Sequence, residues 1–182
     1  MKYWVDQIRA LEWGLFEAHS PAHPSEITNL EMHLGFALPN DLKEFYLNAN
    51  GITGDNNGWE YQLIGSISET IENIESIKKD RNQNKTLFSD LGKSELIYPE
   101  VLKKLTIIPL DNAENSSGAG AFYITEGFSR MNKTLAMPGI YRYLASQPSQ
   151  IRDPEITFVA RSIEDYLIEF FGFDNKSEGA FL

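Results

Sequence analysis

Apolar residues recur at two spacings along this chain, and the elements they predict run from helix to strand and back to helix. Trp4, Ile8, Leu11 and Leu15 fall at helical intervals and predict a helix over residues 3–17 that ends before Ser20-Pro21. Ile27, Leu30 and Leu34 lie at i, i+3 and i+7 and predict a second helix. Pro24-Ser25-Glu26 opens it, with the Ser25 hydroxyl expected to cap, and Gly35 stops it. Leu42, Phe45, Tyr46 and Ala49 form the stripe of a third helix, with Pro39 pre-setting its start and Asn50-Gly51 expected to close it. Residues 52–58 read as a polar turn region. After them Trp59, Tyr61 and Leu63 alternate with Glu60 and Gln62, the period of a half-exposed strand.

Ser66 and Glu69 stand at capping-box spacing. They precede a helix with Ile67, Ile71 and Ile74 on one face and Glu72, Glu75 and Lys79 on the other. Residues 80–95 read as a long polar loop, followed by a short helix near Pro99 to Lys104. Further strands are predicted at 105–110, 121–125, 140–144 and 156–160. Ser162 then caps a last helix whose stripe is Ile163, Tyr166, Leu167, Phe170 and Phe171, up to Gly172. Helices at both ends with strands between them predict an α+β fold: a mainly antiparallel sheet with N- and C-terminal helices packed against it. No internal repeat or linker divides the chain, so residues 1–182 are expected to form a single domain.

One stretch is specific beyond its periodicity. Ile27, Glu31, Leu34, Gly35, Leu38, Pro39, Asp41, Phe45, Asn50 and Gly51 fill an I…E..LG..LP.D…F….NG run that resembles the N-terminal signature of the SUKH superfamily. The resemblance continues more thinly through Trp59–Ile64, Ile67–Ile77, Ile107–Ile124 and Ser162–Leu167. It covers about residues 23–172, with the helix over 3–17 as an accessory. The chain departs from the pattern at Ser117-Gly118-Ala119-Gly120-Ala121, where relatives often carry an aspartate. The resemblance implies an α+β, non-catalytic protein-binding domain. In bacteria such domains are largely immunity proteins that occlude a cognate toxin, and in fungi they are regulatory adaptors that dock signalling or cell-wall-related partners.

Composition narrows the partner. The chain has 182 residues, with 26 Asp and Glu against 16 Lys and Arg, for a net charge of −10. That balance opposes direct nucleic-acid binding, which needs clustered cations, and suits a basic protein partner. Between Lys43 and Lys78 there is no base but six acids: Glu44, Asp55, Glu60, Glu69, Glu72 and Glu75. A second base-free span, from Lys104 to Arg130, holds Asp111, Glu114 and Glu126. No apolar run reaches the roughly 20 residues that span a bilayer, no secretory apolar segment opens the chain, and cysteine is absent. A cytoplasmic location is the expectation.

Catalytic chemistry is hard to find. Pro21 and Pro24 break up His19 and His23, so this four-residue spacing reads as a linker pair and not as zinc ligands on one helix. His33 reads as a solvated side chain. No Gly-x-Ser-x-Gly elbow occurs, and Gly118-x-Gly120 lacks both the context and the lysine of a phosphate loop. The run Asp111-Asn112-Ala113-Glu114-Asn115 lacks the donor spacing of a calcium loop. No enzyme, cofactor or metal is therefore expected. The candidate partner-binding residues are Asp55, Trp59, Glu60, Tyr61, Asp111 and Glu114, acids of the base-free spans and the aromatics beside them.

Overall fold

A computed structural model describes residues 1–11, 16–56, 59–82, 107–111, 119–125, 129–130, 133–134, 138–144 and 155–173. In chain order these form α1 (Lys2–Arg9), β1 (Phe16–Ala18), α2 (Pro24–Leu34), α3 (Asn40–Tyr46), β2 (Ile52–Asn56), β3 (Trp59–Ile64) and α4 (Ile67–Asn82). The second half contributes β4 (Ile107–Pro109), β5 (Ala119–Ile124), β6 (Ser129–Arg130), β7 (Lys133–Thr134), β8 (Gly139–Leu144), β9 (Glu155–Ala160) and α5 (Ile163–Phe171). Strands pair antiparallel as β1-β2-β3, as β4-β5-β8-β9 and as the short ladder β6-β7. The fold is α+β as expected, but with more than one sheet.

Two expectations fail at the N-terminal end. The first helix stops at Arg9, and residues 16–18 form a strand instead of a helical turn. Residues 52–56 are also a strand, not a turn region, and occupy the centre of the first sheet. Their polarity concealed this: only Ile52 is apolar, and the backbone pairing of β1 and β3 on either side makes the strand. The helix opened by Ser66 runs on to Asn82. The short helix expected near Pro99 to Lys104 lies outside the described residues.

Each polar position of the signature has a bond to make. The cap of α2 is His23 and not Ser25: its ring Nδ1 accepts from the Ser25 N–H at 3.3 Å, and Glu26 Oε2 accepts from the His23 N–H at 2.7 Å. Gly35 ends the helix at φ 80°. Glu31 Oε1 then accepts from the Leu38 N–H at 3.0 Å, which sets the turn into α3. Asp41 reaches across the molecule, where its Oδ2 accepts from the Ile163 N–H of α5 at 2.9 Å and the Tyr123 hydroxyl of β5 donates to it at 3.3 Å. Asn50 Oδ1 accepts from the Ile67 N–H at 2.8 Å, completing a capping box in which Ser66 Oγ accepts from the Glu69 N–H and Glu69 Oε2 from the Ser66 N–H.

Apolar faces converge between these ties. Val5, Ile8, Leu30, Leu42, Phe45, Ile52, Ile64, Ile108, Ile140, Ile163 and Leu167 are fully buried in one cluster. Trp4 stacks on Phe173 with ring centres 5.4 Å apart and donates its Nε1–H to Glu164 Oε1, so α1 closes against α5. Tyr46 is buried but satisfied: its hydroxyl donates to the Gly65 carbonyl at 3.2 Å and lies 3.0 Å from Thr70 Oγ1.

Asp41→Ala leaves the Ile163 N–H and the Tyr123 hydroxyl without their acceptor. Each lost bond at a half-buried group costs about 1–2 kcal/mol, so urea unfolding is expected to show a loss of about 2–4 kcal/mol. Asp41→Asn, which keeps an acceptor oxygen, recovers part of it. A loss below about 0.5 kcal/mol for the alanine variant would show that this bridge does not hold α3 to α5.

Candidate functional site

The register of the first sheet brings some of the candidate acids together and separates others. Glu17 sits opposite Thr53, Thr53 opposite Gln62, and Asp55 opposite Glu60. Because side chains alternate along a strand, positions 17, 53, 55, 60 and 62 share one face. The opposite face carries Ala18, Ile52 and Gly54, all buried, and Phe16, which meets Phe171 edge-on at 4.8 Å. Glu17 and Asp55 are exposed. The outer face of β1-β2-β3 therefore carries Glu17 and Asp55 on two strands with position 60 on the third; none of its described side chains is a lysine or arginine, and His19 Nε2 reaches Thr53 Oγ1 there at 3.0 Å.

Glu17 is hidden in the sequence by the helical apolar spacing of residues 3–17. The available signal was the short alternation Phe16-Glu17-Ala18. Trp59, Glu60 and Tyr61 take their places on β3 beside Asp55, while their side chains lie outside the described residues. Glu114 also lies outside them.

Asp111 stands apart from this group. It follows Leu110, whose carbonyl accepts from the Gly65 N–H at 2.5 Å beyond the foot of β3. Position 60 is five strand residues away, roughly 16 Å at about 3.3 Å per residue. Asp111 Oδ1 accepts from the Ala121 N–H at 2.7 Å, and its carbonyl accepts from Asn73 Nδ2 at 3.2 Å. The side chain is half-buried and tied to β5. Burial pushes its carboxyl up to about 7, against the lowering effects of the Ala121 N–H and the Arg142 charge.

The remaining shifted groups are tyrosines with structural bonds. Burial pushes Tyr46 up to about 12 despite its bond to Thr70, and burial does the same for Tyr166, with the Asp111 charge adding to it and Arg142 opposing. Burial likewise raises Tyr123, and the Asp41 charge adds to that. The histidines also serve the framework: His19 Nε2 lies 3.0 Å from Thr53 Oγ1, His23 caps α2, and His33 Nδ1 lies 2.9 Å from the Asn29 carbonyl. Among the described residues no group of three or more His, Cys, Asp or Glu is placed to hold a metal ion. No described helix is long and apolar enough to cross a membrane.

Comparison with known proteins agrees with the signature. The model of the SMI1 / KNR4 family (SUKH-1) matches residues 21–169. The uncharacterized protein YnaB of Bacillus subtilis (strain 168) is 45% identical over 42 residues, which are 23% of this chain and 29% of that protein. The likeness thus spans less than a third of that relative's length.

The raised carboxyl of Asp111 gives a pH dependence with a definite sign. The folded chain holds this proton up to about pH 7, whereas the unfolded chain releases it near 3.8. Its contribution to stability is therefore greatest below pH 4, falls as pH rises from about 4 to 7, and stays lowered above that. Asp111→Asn keeps an acceptor for the Ala121 N–H and removes the charge. After discounting for partial exposure, it is expected to stabilise the fold at pH 8 by on the order of 1–2 kcal/mol. That corresponds to a melting point about 3–6 °C higher, with the gap from wild type closing by pH 4. A gap that does not change with pH would overturn the assignment.

Proposed function

We propose, from the premise that this chain belongs to the SMI1 / KNR4 family (SUKH-1), that it is a non-catalytic protein-binding domain acting as an immunity protein. It neutralises a cognate toxin domain with a basic contact surface, and it does so by occlusion. The observation that carries this reading is the outer face of β1-β2-β3, with Glu17, Asp55 and position 60 on three neighbouring strands and no lysine or arginine among its described side chains.

The chemistry follows from that face. Carboxylates held on paired strands need little ordering on binding, so less of the contact energy is lost to conformational entropy. Their summed field steers a cationic partner and raises its association rate. Once docked, they occupy the cations a toxin would use to hold its own anionic substrate.

Pull-down from the source strain, and co-expression with toxin domains encoded beside the gene, test the proposal. Binding together with protection supports it, and the absence of both refutes it. Binding without protection favours the other reading, a regulatory adaptor. The combined variant Glu17→Gln, Asp55→Asn, Glu60→Gln is expected to slow association about tenfold or more at low salt and to flatten its salt dependence. Unchanged kinetics would place the interface elsewhere.

A further inference from the structure

A groove of about 470 Å³ runs between α5 and the β8–β9 pair, lined by Arg142, Thr157, Val159, Tyr166, Glu169 and Phe170 among others. Arg142 on β8 and Glu169 on α5 are both exposed. They form no ion pair with each other, and Arg142 instead hydrogen-bonds the Tyr166 hydroxyl. Phe170 remains 37% exposed, although its ring meets Phe16 and Phe171 edge-on. Among the described residues β9 is the last strand of its sheet.

The two signs in this groove restrict its occupant. A uniformly basic surface meets Arg142, and a uniformly acidic one meets Glu169 and the net charge of −10. A second copy of the chain presents a cation to each carboxylate and a carboxylate to each cation, because in a two-fold contact residue i meets j while j meets i. We propose that this groove is a self-association site, in which Arg142 of each copy faces Glu169 of the other and the Phe170 rings are covered between them. The two copies repel through their net charge, so the dimer is weak and forms only at high protein concentration. It uses a different sheet from the toxin-binding face and does not depend on that reading.

Sedimentation velocity of the full chain from about 5 to 500 µM at constant salt tests this. The sedimentation coefficient is expected to rise with concentration. Glu169→Arg and Arg142→Glu should each weaken association about tenfold or more, and the double exchange should return it to within about threefold of wild type. A monomer at every concentration, single exchanges without effect, or a double exchange as weak as the singles would each overturn the proposal. Glu169 is exposed on α5, so Glu169→Arg is expected to keep the fold. If Arg142→Glu unfolds the chain, Glu169→Arg against the charge-neutral Glu169→Gln decides: the arginine must weaken association more than the glutamine, and equal effects overturn the proposal.

Discussion

The close passage of the backbone at Gly51 against the corner Ile64-Gly65-Ser66 is the constraint on which the rest of the structure depends. A Cβ at position 51 would lie 2.9 Å from the Ser66 nitrogen and 3.0 Å from the Ile64 oxygen, at a φ of +104°, so only glycine fits without moving backbone. That approach places Asn50 where its side chain can cap α4. It also sets the start of β2 against the end of β3, where Ile52 pairs with Ile64. One residue further, the Gly65 N–H meets the Leu110 carbonyl, which links this corner to the end of β4 and so to the second sheet. A helix, a hairpin and the connection between sheets thus share one contact of backbone with backbone.

This explains which parts of the fold were legible in the sequence. The helices were, because their stripes and caps are local: Ser66 with Glu69, Ser162 with the Asp165 N–H, and Gly35 and Gly172 in the left-handed region all behave as their spacing requires. The strands β4, β5, β8 and β9 were also close to their expected places. What was not legible depends on partners distant in the chain. Asn50-Gly51 looks like a helix terminator, yet α3 ends at Tyr46 and the pair serves a tertiary corner. Residues 52–56 carry turn-forming side chains, and they are extended because β1 and β3 hydrogen-bond both of their edges. Asp41 has no local signal for its bond to Ile163, which lies 122 residues away.

The candidate site was legible only in part for the same reason. Counting acids in base-free spans selected Asp55, Glu60 and Asp111 together, although composition cannot tell an acid that accepts a backbone N–H from one that faces solvent. Asp111 proves to accept from Ala121, and Glu26, Glu31, Asp41 and Glu69 make the same kind of bond to His23, Leu38, Ile163 and Ser66. Glu17, which no charge-run argument selected, joins the outer face because β1 pairs with β2. At least five of the 26 acids therefore serve the framework, and their positions are set by the fold and not by a partner.

That division bears on how a protein of this kind can change partners. Acids of the framework are fixed by geometry, since removing one leaves a backbone donor or a half-buried hydroxyl unsatisfied, at a cost of kilocalories against a total stability of about 5–15 kcal/mol. Glu17 and Asp55 are exposed. Substitutions at such positions usually change stability by less than about 0.5 kcal/mol, while a charge at an interface alters association rate and discriminates between partners. The signature from Ile27 to Gly51 therefore builds a frame that tolerates little change, and that frame holds three paired strands on whose outer face Glu17 and Asp55 are exposed. On the proposed reading, specificity for a partner varies where the fold has the least at stake, on the face of β1-β2-β3 and not in the signature that builds the frame.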